Sequence, residues 1–187
     1  WEESYSAKVS STQIAERAEV YDLLFVPIGG LLLTAGVDVQ DNRLAIVIRA
    51  WGEGEESWLV NYTEIHGDPA RPELWRQLDS VLFETEYTHE SGAPMPVRAV
   101  AIDTGGHYTH EVYAYARTRR DRHVIAIKGM SQPNRPILGK PSKQDINFKN
   151  QTIKKGVELW GVGTDTAKAT IYARLKNTDE AGAGVYH

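Results

Sequence analysis

The chain has 187 residues, enough for one well-buried domain and hardly for two. Its 41% hydrophobic and 25% charged residues are ordinary for a globular protein, the lack of cysteine excludes disulfides and thiolate metal sites, and six histidines without an HxxxH or HExxH pattern argue against zinc. The formal charge is −4, yet residues 1–116 hold 7 Lys and Arg against 19 Asp and Glu while residues 117–176 hold 14 against 4, an asymmetry that points to a polyanion-binding face. No apolar run reaches the ~18 residues of a membrane-spanning helix, and no secretory signal is present. The chain opens on Trp1 rather than Met. The expectation is an intracellular domain cut from a longer protein, with no membrane partner.

In chain order, Ser10-Ser-Thr-Gln13 has capping-box spacing and opens a predicted helix to about residue 24, with Ile14, Ala18, Tyr21 and Leu24 on one stripe. Phe25 to Gly30 reads as a connector. Strands follow at 31–39, 43–51 and 56–65, joined by the turn residues Asp41-Asn42 and Gly52-Glu-Gly-Glu55, so the three form an antiparallel meander. Leu74, Leu78, Val81 and Leu82 predict a helix over 72–87, with Pro72 suited to its first turn. Val97 to Ile102 is almost continuously apolar, as in a strand buried on both faces, and it ends at Asp103-Thr-Gly-Gly106. A helix over 107–119 carries Tyr108, Val112, Tyr115 and Ala116 on one side, and 123–127 is a fifth strand. From Gly129 to Gly156 no periodicity shows, and the stretch reads as a functional inserted loop. Residues 157–162 are a sixth strand, and Thr164 and Asp165 open a last helix carrying Ile171 and Leu175. The Gly-rich tail after Asn177 reads as an element cut short.

Right-handed crossovers make the fourth and fifth strands parallel to the first. The connectivity is that of a ribonuclease H-like fold: an α/β mixed sheet, three antiparallel strands and then parallel ones, flanked by helices, with one extra strand and an inserted basic loop. Strand four then lies beside strand one, so Asp103 stands next to Asp38, and the start of the last helix, with Asp165, faces both.

Asp38 is a carboxylate inside an apolar run. Burying an unpaired carboxylate costs several kcal/mol, so such a residue is protonated, paired or holding a cation. The plainer alternative is an Asp that helps the following turn. Asp103 likewise serves as a strand-end turn residue in its plain reading, and Asp165 as a helix N-cap. Mg²⁺ takes oxygen ligands and uses one or two carboxylates, completed by water and phosphate. Two such ions about 4 Å apart activate a water and stabilise the leaving oxygen of a phosphodiester, with the central acid, Asp38, bridging. Asp41 reads as a turn residue or an auxiliary acid, and Glu158 is an alternative third ligand to Asp165. His107 orients a water or phosphate, or is an exposed helix-start histidine. Lys128 and Lys168 contact phosphate or are solvated. Arg117, Arg119, Arg120 and Arg122 suit a solvated helix C-terminus. Lys140, Lys143, Lys149, Lys154 and Lys155, in the insertion, are the better candidates for DNA contact.

Leu33-Thr-Ala-Gly-Val-Asp-Val-Gln-Asp41, Trp51-Gly-x-Gly-x-Glu-Ser-Trp58, Ala101-Ile-Asp-Thr-Gly-Gly106 and Gly161-Val-Gly-Thr-Asp-Thr-Ala-Lys168 together resemble the nuclease domain of the lambda-type large terminase subunit family, the DNA-packaging motors of tailed phages and prophages. The resemblance spans about residues 20–187. It implies a two-metal endonuclease, using Mg²⁺ or Mn²⁺, that cuts concatemeric double-stranded DNA at packaging in the cytoplasm of the bacterial host. By motif match the metal acids fall on Asp38, Asp103 and Asp165. It also implies an ATPase motor domain ahead of the nuclease, with residues 1–30 as helix and linker from it and 31–187 as the nuclease, and it implies the small terminase subunit and the capsid portal as partners. Other readings stay open: an actin-like or sugar-kinase-like ATPase lobe built on Asp103-Thr-Gly-Gly-His-Tyr-Thr109, a non-catalytic DNA-binding module, and a transposase or resolvase of the same fold.

Overall fold

A computed structural model describes residues 11–16, 18–148, 151–177 and 181–187. Its strands are β1 (Phe25–Val26), β2 (Leu32–Gln40), β3 (Arg43–Trp51), β4 (Ser57–His66), β5 (Thr88–His89), β6 (Val97–Asp103), β7 (Val124–Met130), β8 (Leu138–Phe148) and β9 (Gln151–Gly163). The helices are α1 (Ser11–Ala15), α2 (Pro72–Asp79), α3 (Thr109–Thr118) and α4 (Thr164–Leu175). β1 and β5 pair with each other, and the other seven strands form one mixed sheet in the order β4-β3-β2-β6-β7-β9-β8. β2, β3 and β4 are the expected antiparallel meander, and β6, β7 and β9 run parallel to β2.

Alternation decides which face is which. Leu33, Ala35 and Val37 of β2, Leu44, Ile46 and Ile48 of β3, and Val100 and Ile102 of β6 are buried on one face. Leu74, Trp75 and Leu78 of α2 and Val112, Tyr113, Tyr115 and Ala116 of α3 cover that face. Each large apolar side chain of this kind contributes about 1.5–3 kcal/mol when fully buried. A clamp ties α2 to α3. Arg119 reaches Asp79 with Nε at 2.6 Å from Oδ1 and a second nitrogen on Oδ2, the Tyr115 hydroxyl donates to the same Oδ1 at 2.8 Å, and the guanidinium lies over the Tyr115 ring.

The opposite face is more open. α4 crosses it, held at its start by Thr164 Oγ1 donating to Met130 O and Thr166 Oγ1 donating to Arg135 O. At its far end Arg174 pairs with Glu55 and faces the Tyr186 ring. The tail pairs beside β4, with Ser57 N–H donating to Val185 O and His187 N–H to Ser57 O, both at 2.9 Å. The His187 ring stacks on Trp58.

Three expectations are corrected. The first helix stops at Ala15 instead of continuing to residue 24. Leu24 has a φ of 65° and its N–H bonds Val60 O, so Tyr21 and Leu24 reach the core from an irregular segment that ends in a turn, not a helical stripe. The helix expected over 72–87 is α2 followed by a π-turn to Glu84, which frees Tyr87 for the core. The stretch read as an unstructured insertion is largely a β-ribbon: β8 pairs antiparallel along β9 from Phe148 opposite Gln151 to Leu138 opposite Val162, and the hairpin lies over α3 and buries Ile146 completely. The cap expected at Ser10 lies outside the described residues.

Candidate active site

β2 and β6 are hydrogen-bonded in parallel up to Val37 opposite Ile102. Asp38 and Asp103 are the next residues of the two strands, so they stand side by side. Because Val37 and Ile102 point into the core, the pleat turns Asp38 and Asp103 to the open face. Asp38 is therefore exposed, not buried as its apolar neighbours suggested. One of its oxygens accepts from the Gln40 side-chain amide at 2.8 Å, two residues along the same face. Asp103 Oδ1 accepts from Gly105 N–H at 3.2 Å. A Cβ on Gly105 would come within 3.0 Å of Asp103 Oδ2, so the glycine leaves that carboxylate room.

The loop after Asp103 is anchored by Thr104, whose N–H and hydroxyl both donate to Ile127 O at 2.9 and 2.8 Å. Thr109 Oγ1 closes the loop by donating to Thr104 O. This delivers His107, at the approach to α3, to the turn between β2 and β3, where its Nδ1 lies 3.0 Å from Asp41 Oδ1. Both side chains are exposed, so the pair is a positioning contact more than a source of stability. The nearby Tyr108 phenol is pushed up by desolvation first and then by the field of Asp68, Asp41 and Glu111.

The remaining predicted residues scatter. Asp165 is exposed in the first turn of α4, but the cap position is Gly163 and Asp165 makes no capping bond. Asp103 is level with Ile127, whereas Gly163 is level with Met130 and two strands away. That separates the backbones at Asp103 and Gly163 by about 10 Å across the sheet and a similar distance along it. Among the described residues, no three His, Asp or Glu side chains form a metal-holding group. Glu158 sits toward the other end of the sheet, ahead of the β7–β9 ladder, 3.8 Å from Arg120. Lys128 is exposed on β7 one residue past the partner of Asp103, and Lys168 is exposed on α4. Lys140, Lys143, Lys154 and Lys155 are exposed on the ribbon, and Lys149 lies outside the described residues. Sequence reasoning missed Gln40, although the strand period puts it on the face of Asp38, and it missed the anchoring role of Thr104.

Adjacent carboxylates at the strand ends of a seven-stranded mixed sheet make an α/β architecture compatible with a nuclease. Over residues 1–187 the chain matches the family described as terminase large subunit gpA, endonuclease domain, and it belongs to that family. It is 35% identical over 180 residues to the terminase large subunit of Escherichia phage lambda, covering 96% of this chain and 26% of that protein. It is 32% identical over 176 residues to the terminase large subunit of Enterobacteria phage P21, covering 94% of this chain and 26% of that protein. The chain thus spans about a quarter of the length of these relatives. No solved structure matches it.

Proposed function

We propose that this domain is the metal-dependent endonuclease of a viral DNA-packaging terminase and hydrolyses phosphodiesters of double-stranded DNA with two divalent cations. The observation that carries the reading is Asp38 beside Asp103 on the open face of paired parallel strands, in a chain of this family. An all-carboxylate donor set suits Mg²⁺ or Mn²⁺. Asp38 and Asp103 would hold the ions; Asp165, whose helix starts about 10 Å across and about 10 Å along the sheet from Asp103, would join them only as a more distant acid. When bound, the ions supply Lewis acidity toward the phosphoryl oxygens and a more acidic attacking water.

The protein's own groups do the rest. Gln40 and the Gly105 N–H fix the two carboxylates by hydrogen bonds, so neither must be reordered to act. His107, steadied by Asp41, orients a water or phosphate at the mouth. Lys168 would face phosphate at the flank and Lys140, Lys143, Lys149, Lys154 and Lys155 would contact the DNA backbone, whereas alternation turns Lys128, one residue past Ile127, to the other face of the sheet. The sheet order, with the first strand of the meander beside the fourth long strand, supports a ribonuclease H-like fold. Family membership supports the wider reading: residues 1–30 as the link from an ATPase motor domain, the small terminase subunit and the capsid portal as partners, and cutting of concatemers in the bacterial cytoplasm.

Supercoiled plasmid incubated with Mg²⁺, Mn²⁺ or EDTA tests the reading. Nicked and linear products with either metal and none in EDTA are expected. Intact plasmid under all three conditions refutes it and leaves the binding-module alternative. Nucleotide binding without cutting points to the ATPase lobe.

A further inference from the structure

The four arginines of 117–122 divide into two pairs. Arg119 is held by Asp79, and Arg122 lies over the Phe83 ring with its centre 4.5 Å from the centroid. Arg117 and Arg120 instead line a cleft of about 610 Å³ together with His123, Lys143, Lys155 and Trp160. Strand register explains why the cleft exists. The β7–β9 ladder begins only at Ala126 opposite Leu159. Ahead of it Val124 still pairs with Val100 on β6, while Val157 and Glu158 pair with Gln144 and Lys143 on β8. The two strands part, leaving a notch walled by the end of α3 and by the ribbon.

The notch gathers four full positive charges, Arg117, Arg120, Lys143 and Lys155, against the single carboxylate of Glu158. At 3.8 Å and with Arg120 largely exposed, that one ion pair satisfies little of the charge. Trp160 adds a buried indole Nε1 with no hydrogen-bond partner among the described residues, a donor suited to an acceptor oxygen. Trp160 is also level with Ile127, which is level with Asp103, and all three fall on the same face by alternation. Two strand spacings, about 10 Å, separate it from Asp103, with Asp38 one strand further; Arg120 and Glu158 lie further still, ahead of the β7–β9 ladder toward the opposite end of the strands. Phosphates recur about every 3.4 Å along one DNA strand, so roughly three nucleotides span the distance from Asp103 to Trp160, and further ones reach Arg117 and Arg120.

We propose that this cleft seats the phosphodiester backbone of the substrate DNA a few nucleotides from the bond held at Asp38 and Asp103. The inference rests on the nuclease reading above. Arginine forks fit phosphate oxygens bidentately, and such contacts fix the register of the duplex without reading its sequence. The cleft is thus a positioning site for the scissile strand.

The test measures binding of the whole chain to two unrelated duplexes by fluorescence anisotropy in EDTA, across a salt series. Arg117→Gln with Arg120→Gln should lower the slope of log K against log salt by about 0.9 for each phosphate no longer neutralised. Affinity should fall about tenfold per such phosphate near 0.1 M salt, equally on both duplexes. Glu158→Gln should act in the opposite direction and tighten binding, which keeps the test decisive if the double variant fails to fold. A folded double variant with the parental slope, or a Glu158→Gln variant that binds no tighter, overturns the proposal. Plasmid cutting by the parent chain separates the two readings. If the parent cuts and the double variant keeps its slope, the cleft assignment alone falls; a parent that does not cut sinks the nuclease reading as well.

Discussion

Replacing Asp38 by Asn separates chemistry from architecture. Asp38 is exposed, contributes nothing to the core, and its described partner is the Gln40 amide. Asn retains an oxygen that accepts the same hydrogen bond and occupies the same volume. The change therefore falls among surface substitutions, for which stability moves within about 0.5 kcal/mol. The loss to catalysis is of another order. On the two-metal reading proposed above, losing a carboxylate that would hold the ions is expected to cost about 4 kcal/mol of transition-state stabilisation, and at 1.36 kcal/mol per tenfold in rate that slows cutting roughly a thousandfold. Linkage adds an independent readout: a metal at about a hundred times its Kd stabilises the parent by about 2.7 kcal/mol, and the variant should lose most of that. Plasmid cutting at saturating Mn²⁺, alongside thermal unfolding with and without Mn²⁺, measures all three quantities. Cutting within about tenfold of the parent, with metal stabilisation intact, would refute the assignment of Asp38.

Asp165→Asn discriminates between a ligand and a helix-start acid. Since Gly163 is the cap, the structural cost is the loss of one favourable charge at the α4 N-terminus, at most about 1 kcal/mol by unfolding; a much larger loss of cutting assigns Asp165 to the metal, and full activity removes it. Tyr115→Phe tests the α2–α3 clamp through pH. Burial, then the hydrogen bond and field of Asp79, push the Tyr115 phenol well above its ordinary range. The folded state therefore keeps a proton that the unfolded chain releases near pH 10, so stability is intact below that pH and declines as pH rises beyond it. Phe should flatten part of that decline in melting temperature between about pH 9 and 11; an unchanged profile would show that Tyr115 does not titrate with unfolding.

The sheet is legible in the sequence because its signals are local and redundant. Alternation in β2 and β3, short turns and right-handed crossovers all demand the same order, which puts Asp103 beside Asp38 from the sequence alone. The same alternation, applied strictly, also places Asp38 on the face away from Val37; the dense apolar surroundings conceal this. The ribbon is illegible for the opposite reason. Most of β8 is exposed on both faces, so only Ile146 records a buried side, and Pro141 reads as a loop residue although it falls at a register shift. The stripe of Tyr21 and Leu24 misleads because burial against the sheet selects the same residues in an irregular segment as in a helix. The Asp41–His107 contact depends on a turn meeting a loop from another strand, which no spacing encodes.

The two faces of the sheet explain why an acid pair at this position is usable. On the packed face, Val37 and Ile102 are fixed by α2 and α3 and hold the strand ends rigid. On the open face, Gly36, Ala45 and Ala101 beside Asp38 and Asp103 are small, with Val47 and Ile127 as the larger neighbours. A Cβ on Gly36 would meet nothing within 4 Å, so this glycine is not demanded by internal packing. α4 passes over this side without burying a single one of its own residues. Small side chains between Asp38 and Asp103, flanked by Val47 and Ile127, leave space above the carboxylates for something outside the domain core. On the nuclease reading that space is where a DNA strand approaches, and neither α2 nor α3 has to move to admit it. Enlarging these small residues would consequently be cheap for folding and costly for substrate access, the reverse of what enlarging Val37 or Ile102 would do.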